Sequence, residues 1–222
     1  MTGQVKTAGV CADGPEVDLA RIRCVVFDFG NTLSSDWYFK YRPPECPDLQ
    51  ELVQSHIFSD QDVVNRWMAG ELVLIDIAAR ISSFTCMDVP SLVRAMEKGC
   101  ETLVFNPAVM AFAAAQRGTG RKTALVTANM DVFTRVVVPA HHLDQIFDVI
   151  LNTSDYRVLS KEVLWPVAFE RLGPGIHYAN SLLIEDGTKE PALFRKHSGV
   201  AYQNTTDYAF LGWLNSIGWR SQ

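Results

Sequence analysis

The stretch Cys24-Val25-Val26-Phe27-Asp28-Phe29-Gly30-Asn31-Thr32-Leu33 constrains the fold of this chain more than any other. An apolar, β-branched run ends at an aspartate, and Gly30, Asn31 and Thr32 follow within four residues. An apolar run bounded by turn residues reads as a buried strand. In an open α/β sheet, ligands bind just beyond the carboxyl ends of the strands, so Asp28 falls where chemistry is expected. A carboxylate there can bind a metal, or act as a nucleophile that forms an aspartyl-phosphate.

The pattern of that stretch recurs. The first strand is expected over 22–27, with further strand signals at 123–126, 147–151, 182–184 and, more weakly, 200–202. Helical patterns lie between or after them at 107–116, 131–141, 162–172, 190–197 and 205–216. Strands alternating with helices predict an α/β fold, a doubly wound parallel sheet with helices on both faces. Residues 48–103 break the alternation. Leu49, Leu52, Val53, His56 and Ile57 recur at helical spacing, as do Leu72, Ile75 and Ala79, and then Leu92, Val93 and Met96. The expected organisation is a loose N-terminal tail over 1–20, a core built from 21–34 and 104–222, and a small helical domain over 35–103 inserted after the first strand.

Composition narrows the partners. With 48% hydrophobic residues the chain can bury a real core. A formal net charge of -5 argues against broad binding to nucleic acid or to an anionic membrane. The five cysteines are odd in number and none forms a CxxC pair, so neither a disulfide framework nor a zinc site is expected, and a reducing cytoplasm is the default. No signal-peptide pattern and no apolar run of membrane-spanning length stands out.

Four polar groups fall at the predicted strand ends: Asp28 with Gly30 and Thr32; Thr127-Ala128-Asn129; Ser160-Lys161; and Glu185-Asp186-Gly187 with Glu190 following. These parts suit phosphoryl transfer, in which charge is spread over three equatorial oxygens. Thr127 and Lys161 can hold those oxygens. Asp28, Asp186 and the carbonyl of Gly30 offer the hard oxygen ligands that Mg²⁺ takes.

In this order the four groups resemble the motifs of the haloacid dehalogenase superfamily. Phe-Asp-Phe-Gly-Asn-Thr-Leu (27–33) looks like motif I, with Asp28 at the nucleophile position. Leu-Val-Thr-Ala-Asn (125–129) looks like motif II, Lys161 fits the lysine of motif III, and Ile-Glu-Asp-Gly-Thr-Lys-Glu (184–190) looks like motif IV. The resemblance covers roughly 21–215, and the helical insertion is similar to the cap of the superfamily's largest branch. It implies a Rossmann-like core and a Mg²⁺-dependent phosphatase acting on a small phosphorylated metabolite, a sugar phosphate being one candidate. The implied catalytic residues are Asp28, Thr127 and Lys161. The implied metal set is Asp28, Gly30, Asp186, Glu185 and Glu190, and the implied substrate contacts are Asn129, Thr32, Asn31 and Arg42. A homodimer is left open.

The chain departs from the superfamily pattern at Gly30, where phosphatases usually carry a second aspartate as general acid and base. Loss of such a group typically costs about 10²–10⁴-fold. The dehalogenase branch also lacks it, so a 2-haloacid dehalogenase is the alternative, with a non-catalytic binding protein as a second. Three acids at the fourth motif, which want a cation among them, favour the phosphatase. His56 is a further candidate for the missing proton donor, against core packing as the ordinary role.

Overall fold

The computed structural model describes residues 17–219. Five short strands, β1 (Cys24–Phe27), β2 (Lys122–Thr127), β3 (Val149–Asn152), β4 (Ser181–Glu185) and β5 (Val200–Gln203), make one parallel sheet in the order β3-β2-β1-β4-β5. The central strands are covered on both faces, and so read as unbroken apolar runs.

Alternate residues serve opposite layers. Val25, Phe27, Leu125, Leu182 and Ile184 pack with Phe112 of α5 (Pro107–Gly118) and with Phe210 and Trp213 of α10 (Asp207–Ser216). Cys24, Val26, Ala124, Val126 and Leu183 pack with Trp165 and Phe169 of α8 (Leu164–Leu172) and Phe194 of α9 (Lys189–Lys196). The doubly wound α/β architecture expected from the alternation is therefore present, with strand limits displaced by one or two residues.

The helix expected over 131–141 is present over 131–140, but it widens into a π turn at Phe133–Val137 before the short α6 (Val138–Ala140). Pro139 has no N–H to give to the turn before it, which disfavours a regular helix through this point. Downstream of β3, α7 (Thr153–Tyr156) is a single turn.

Between β1 and α5 lie α1 (Leu49–Val53), continued by a π turn at Gln54–Phe58, then α2 (Gln61–Met68), α3 (Leu74–Ser82) and α4 (Val89–Glu101). The periodicity had not separated α2, which starts where Asp60 accepts the backbone N–H of Val63 at 3.3 Å. Asp88 caps α4 in the same way, accepting from Ser91 N at 2.8 Å. Their apolar faces meet around Trp67, Ile77, Ile81, Leu92 and Met96, all buried.

The chain leaves the sheet layer and returns to it at neighbouring points. Asn106 N donates to Leu33 O at 2.7 Å, Ser34 Oγ to Val104 O at 2.7 Å, and Val104 N to Asp36 Oδ2 at 2.9 Å. The loop after β1 is pinned at Phe39, which is buried, has a positive φ of 61° and stacks on Trp67 at 5.8 Å. Gly99 of α4 runs so close beneath it that a Cβ there would meet the Phe39 backbone at 2.6 Å. Asp131 ties α2 and α3 to the sheet layer, accepting from Trp67 Nε1 at 2.7 Å and Leu74 N at 3.3 Å.

Of the tail expected over 1–20, residues 1–16, with Cys11, lie outside the described residues. Its described end is packed: Val17 is buried, and Arg121 donates to Leu19 O at 2.8 Å. Cys24, Cys46, Cys86 and Cys100 are free thiols. Among the described residues no helix is long and apolar enough to cross a membrane.

Candidate active site

The sheet register brings the predicted strand ends to one level. Phe27 pairs with Leu125 on one side and Ile184 on the other, so Asp28, Thr127 and Glu185 emerge together at the carboxyl edge. The backbone N–H of Asp28 donates to Ile184 O at 3.0 Å, which holds the residue in line with its strand. Lys161 enters from a 3₁₀ turn that Ser160 caps by accepting from Glu162 N at 3.3 Å.

Lys161 is buried, 8% exposed, and its ammonium lies 2.9 Å from Asp28 Oδ1 and 2.5 Å from Glu185 Oε2. Burial alone would lower its pKa, but the two carboxylates hold it above the usual lysine range, so it stays charged. Burial, and next the charge of Asp28, push the Glu185 carboxyl up to about 8 against the pull of Lys161. Asp186 joins them, its Oδ2 accepting from Asn31 Nδ2 at 3.1 Å. One carboxylate oxygen from each of Asp28, Glu185 and Asp186 lies within 4.8 Å of the others. One ammonium among three acids leaves negative charge over, and the donors are all hard oxygens. The set fits a Mg²⁺ ion, which takes one or two carboxylates and completes its shell with water and substrate oxygens.

Glu190 is not part of this convergence. The group that forms is Asp28, Glu185 and Asp186, while Glu190 stands beside Gly187 in the turn that opens α9. As an early residue of that helix it sits where an acid complements the helix N-terminus, a sufficient reason for its presence.

Thr127 and Asn129 are both buried at the end of β2. Their loop is braced by Asn152, the register partner of Thr127. Asn152 Oδ1 accepts from Asn129 N at 3.0 Å, and its Nδ2 donates to Met130 O at 3.0 Å, Ser154 Oγ at 2.8 Å and Thr134 Oγ1 at 3.2 Å. Thr153 adds a bond from Asn129 N at 3.3 Å and one to Met68 O at 2.9 Å. Neither Asn152 nor Thr153 was singled out from sequence, and the only signal was a polar pair ending an apolar run.

A cavity of about 360 Å³ opens over Asp28. Asp28, Gly30, Thr127, Asn129 and Lys161 line its polar side; Trp37, Tyr38, Phe58, Met68 and Met130 line the other. A Cβ added at Gly30 would meet nothing within 4 Å, so the space a larger residue would fill there is open. Asn31 and Thr32 do not line this cavity; with Asp186 and Asn204 they line a neighbouring one of about 910 Å³.

Arg42 does not reach the site. Its guanidinium pairs with Glu51 and donates to Pro47 O at 2.7 Å, on the exposed outer side of the loop. The cavity over Asp28 is lined instead by the aromatic residues of the same segment, Trp37 and Tyr38. His56 stacks on Phe84 at 3.8 Å and does not line the cavity either.

No family model and no curated protein matches the chain. Solved structures do. It is similar to a HAD family enzyme from Bacteroides thetaiotaomicron in complex with magnesium and inorganic phosphate, at 11% identity and a TM-score of 0.60, over 86% of this chain and 98% of that one. A HAD-like family hydrolase from Porphyromonas gingivalis aligns at 13% identity and a TM-score of 0.61, over 89% and 97%. The L-2-haloacid dehalogenase from Xanthobacter autotrophicus, with chloropropionic acid covalently bound, aligns at 14% identity and a TM-score of 0.58, over 88% and 83%. The fold is that of the haloacid dehalogenase-like hydrolases, as the four motifs implied.

Proposed function

We propose that the protein is a Mg²⁺-dependent hydrolase of a small phosphate monoester, working through an aspartyl-phosphate on Asp28. The observation that carries this reading is the convergence of Asp28, Glu185 and Asp186, the first two paired with the Lys161 ammonium, where Asp28 and Lys161 line a small cavity. Three carboxylates at that spacing repel one another, and one lysine offsets only part of the charge. Asp28, Asp186 and the Gly30 carbonyl would hold Mg²⁺, with Glu185 in contact directly or through water. The ion would offset the repulsion between an anionic substrate and the anionic nucleophile.

The remaining roles belong to the chain's own groups. Lys161 engages Asp28 through Oδ1, which leaves Oδ2 as the oxygen that attacks phosphorus. An ammonium has three donors; two are turned to Asp28 and Glu185, and the third is available to a phosphoryl oxygen. The Thr127 hydroxyl holds a second oxygen, and Asn129, fixed by Asn152, orients the ester. Water then cleaves the acyl phosphate and frees Asp28.

Phosphate release from a panel of monoesters, with and without Mg²⁺, tests the proposal. Asp28→Asn is expected to lower turnover by on the order of 10⁴-fold or more with the fold intact. Mg²⁺-independent activity, or activity that survives this change, would count against it. The apolar half of the cavity also suits a 2-haloacid, whose carbon Asp28 would attack with loss of halide. Metal-free halide release from such an acid would favour that second reading.

A further inference from the structure

The sheet has a second edge, at the amino ends of its strands, and positive charge gathers there. Arg23 immediately precedes β1 and Lys122 opens β2, whereas Asp28 and Thr127 lie at the other ends of the same two strands. Lys122 N donates to Arg23 O at 2.9 Å, which sets the two residues side by side. With Arg121 they line a cavity of about 380 Å³ that no carboxylate lines. Leu172, Pro174 and Ile176 form its apolar wall. At about 3.3 Å per residue of strand, Arg23 lies roughly 16 Å from Asp28.

Two of the three cations are fixed in place. Arg121 is partly buried, and four of its five N–H groups go to neutral acceptors: Ile22 O at 3.1 Å, Leu19 O at 2.8 Å, Gln116 Oε1 at 3.1 Å and Thr119 Oγ1 at 3.0 Å. Arg23 donates to Gly175 O at 3.2 Å. A Cβ at Gly175, whose φ is 79°, would meet Arg23 Nη1 at 2.7 Å, so the glycine leaves room for the guanidinium.

None of the three is offset by an acid. Among the described residues no ion pair involves Arg23, Arg121 or Lys122. Asp148 pairs instead with Arg117 and accepts from Thr123 N at 2.9 Å, and Asp18 accepts from Ala20 N at 3.0 Å. The C-terminal ends of α5 and α8 reach the cavity at Thr119 and Leu172, and such ends attract cations. Each carries about half a negative charge, so together they leave about two of the three positive charges uncompensated. In a chain of formal net charge -5, a local surplus of that sign is a focus for anions.

We infer that this cavity is a second binding site, for a phosphate dianion, either free or at the end of a small metabolite. Two surplus charges match a dianion. Arginine forks fit phosphate oxygens, and the spare N–H groups of Arg23 and Arg121 join the Lys122 ammonium as donors. The apolar wall accommodates a short organic body. The two edges of the sheet are farther apart than the screening length of about 8 Å at physiological ionic strength, so binding here is independent of the chemistry at Asp28.

The test is calorimetric titration with inorganic phosphate at low salt in EDTA. Without Mg²⁺ the carboxylates around Asp28 repel phosphate, so one site per chain is expected, at the amino edge of the sheet. Lys122→Gln, which alters an exposed side chain, is expected to weaken binding by on the order of tenfold. Adding Arg23→Gln is expected to bring the loss to on the order of 10²-fold, with the melting midpoint in phosphate-free buffer unchanged. Phenyl phosphate is the second probe under the same conditions. Tighter binding than inorganic phosphate assigns the site to a metabolite, and equal or weaker binding assigns it to free phosphate. Phosphate that does not bind the wild type in EDTA, that binds at several equivalent weak sites, or that binds Lys122→Gln and the double variant as it binds the wild type overturns the site.

Discussion

On the β2 flank of Asp28, the buried amides and hydroxyls are tied into one network: Asn152 alone reaches Asn129, Met130, Thr134 and Ser154. On the β1 flank, Thr32 Oγ1 is buried with no hydrogen-bond partner, and Asn204 Oδ1, across the neighbouring cavity, is left the same way. Both flanks come from loops after parallel strands, so topology does not explain the contrast. A satisfied network is rigid and holds a constant group such as a phosphoryl in one place. Unsatisfied groups cost stability until something binds them, which is reasonable on the side that meets the variable part of a ligand.

Four substitutions probe that contrast, in decreasing order of effect. Lys161→Met removes the cation between Asp28 and Glu185 and leaves buried like charges. It is expected to cost about 3–5 kcal/mol in urea unfolding, with part of the loss recovered by Mg²⁺. A loss below about 1 kcal/mol would mean that the acids do not depend on it. Asn152→Leu, on the ordered flank, strands several buried groups and is expected to cost about 1–3 kcal/mol. If it proves neutral, the β2 network is decorative and the comparison fails.

Gly30→Asp, on the open flank, enters space where its Cβ meets nothing within 4 Å. Its effect on the unfolding free energy is expected to stay within about 1 kcal/mol, while turnover of poor leaving groups rises as a proton donor is supplied. Unfolding by that change would show that the space is not open. Arg42→Ala is the smallest: its ion pair with Glu51 is exposed, so neither the unfolding midpoint nor turnover on any substrate of the cavity should change measurably.

What the sequence made legible follows the same division. Asp28, Thr127, Lys161 and Glu185-Asp186 were readable because each sits at the end or start of a locally patterned segment, and parallel register does the rest. Asn152 was not, since its importance comes from lying opposite Thr127, a pairing no local pattern displays. Arg42 is expected at the site because it follows the first motif closely in the chain, and Glu190 because it closes the fourth. A long exposed side chain takes the nearest partner, and Arg42 took Glu51. In the same loop, no local pattern tells that Trp37 and Tyr38 line the cavity while Arg42 does not.

The bond from Asn106 N to Leu33 O, 2.7 Å long, means that seventy-odd residues are threaded out and back through a single doorway. Cutting there and rejoining Leu33 to Asn106 with a brief linker would sever no strand pairing, because all five strands lie outside the loop so removed. The chemical groups of Asp28, Thr127, Lys161 and Glu185 would stay, and the walls contributed by Tyr38, Phe58 and Met68 would go. In chain topology the excursion is thus a cassette, held to the sheet layer by Asp131 and Thr153. A different one could be spliced onto the same doorway, exchanging what the protein recognises while leaving what it does to the bound molecule untouched.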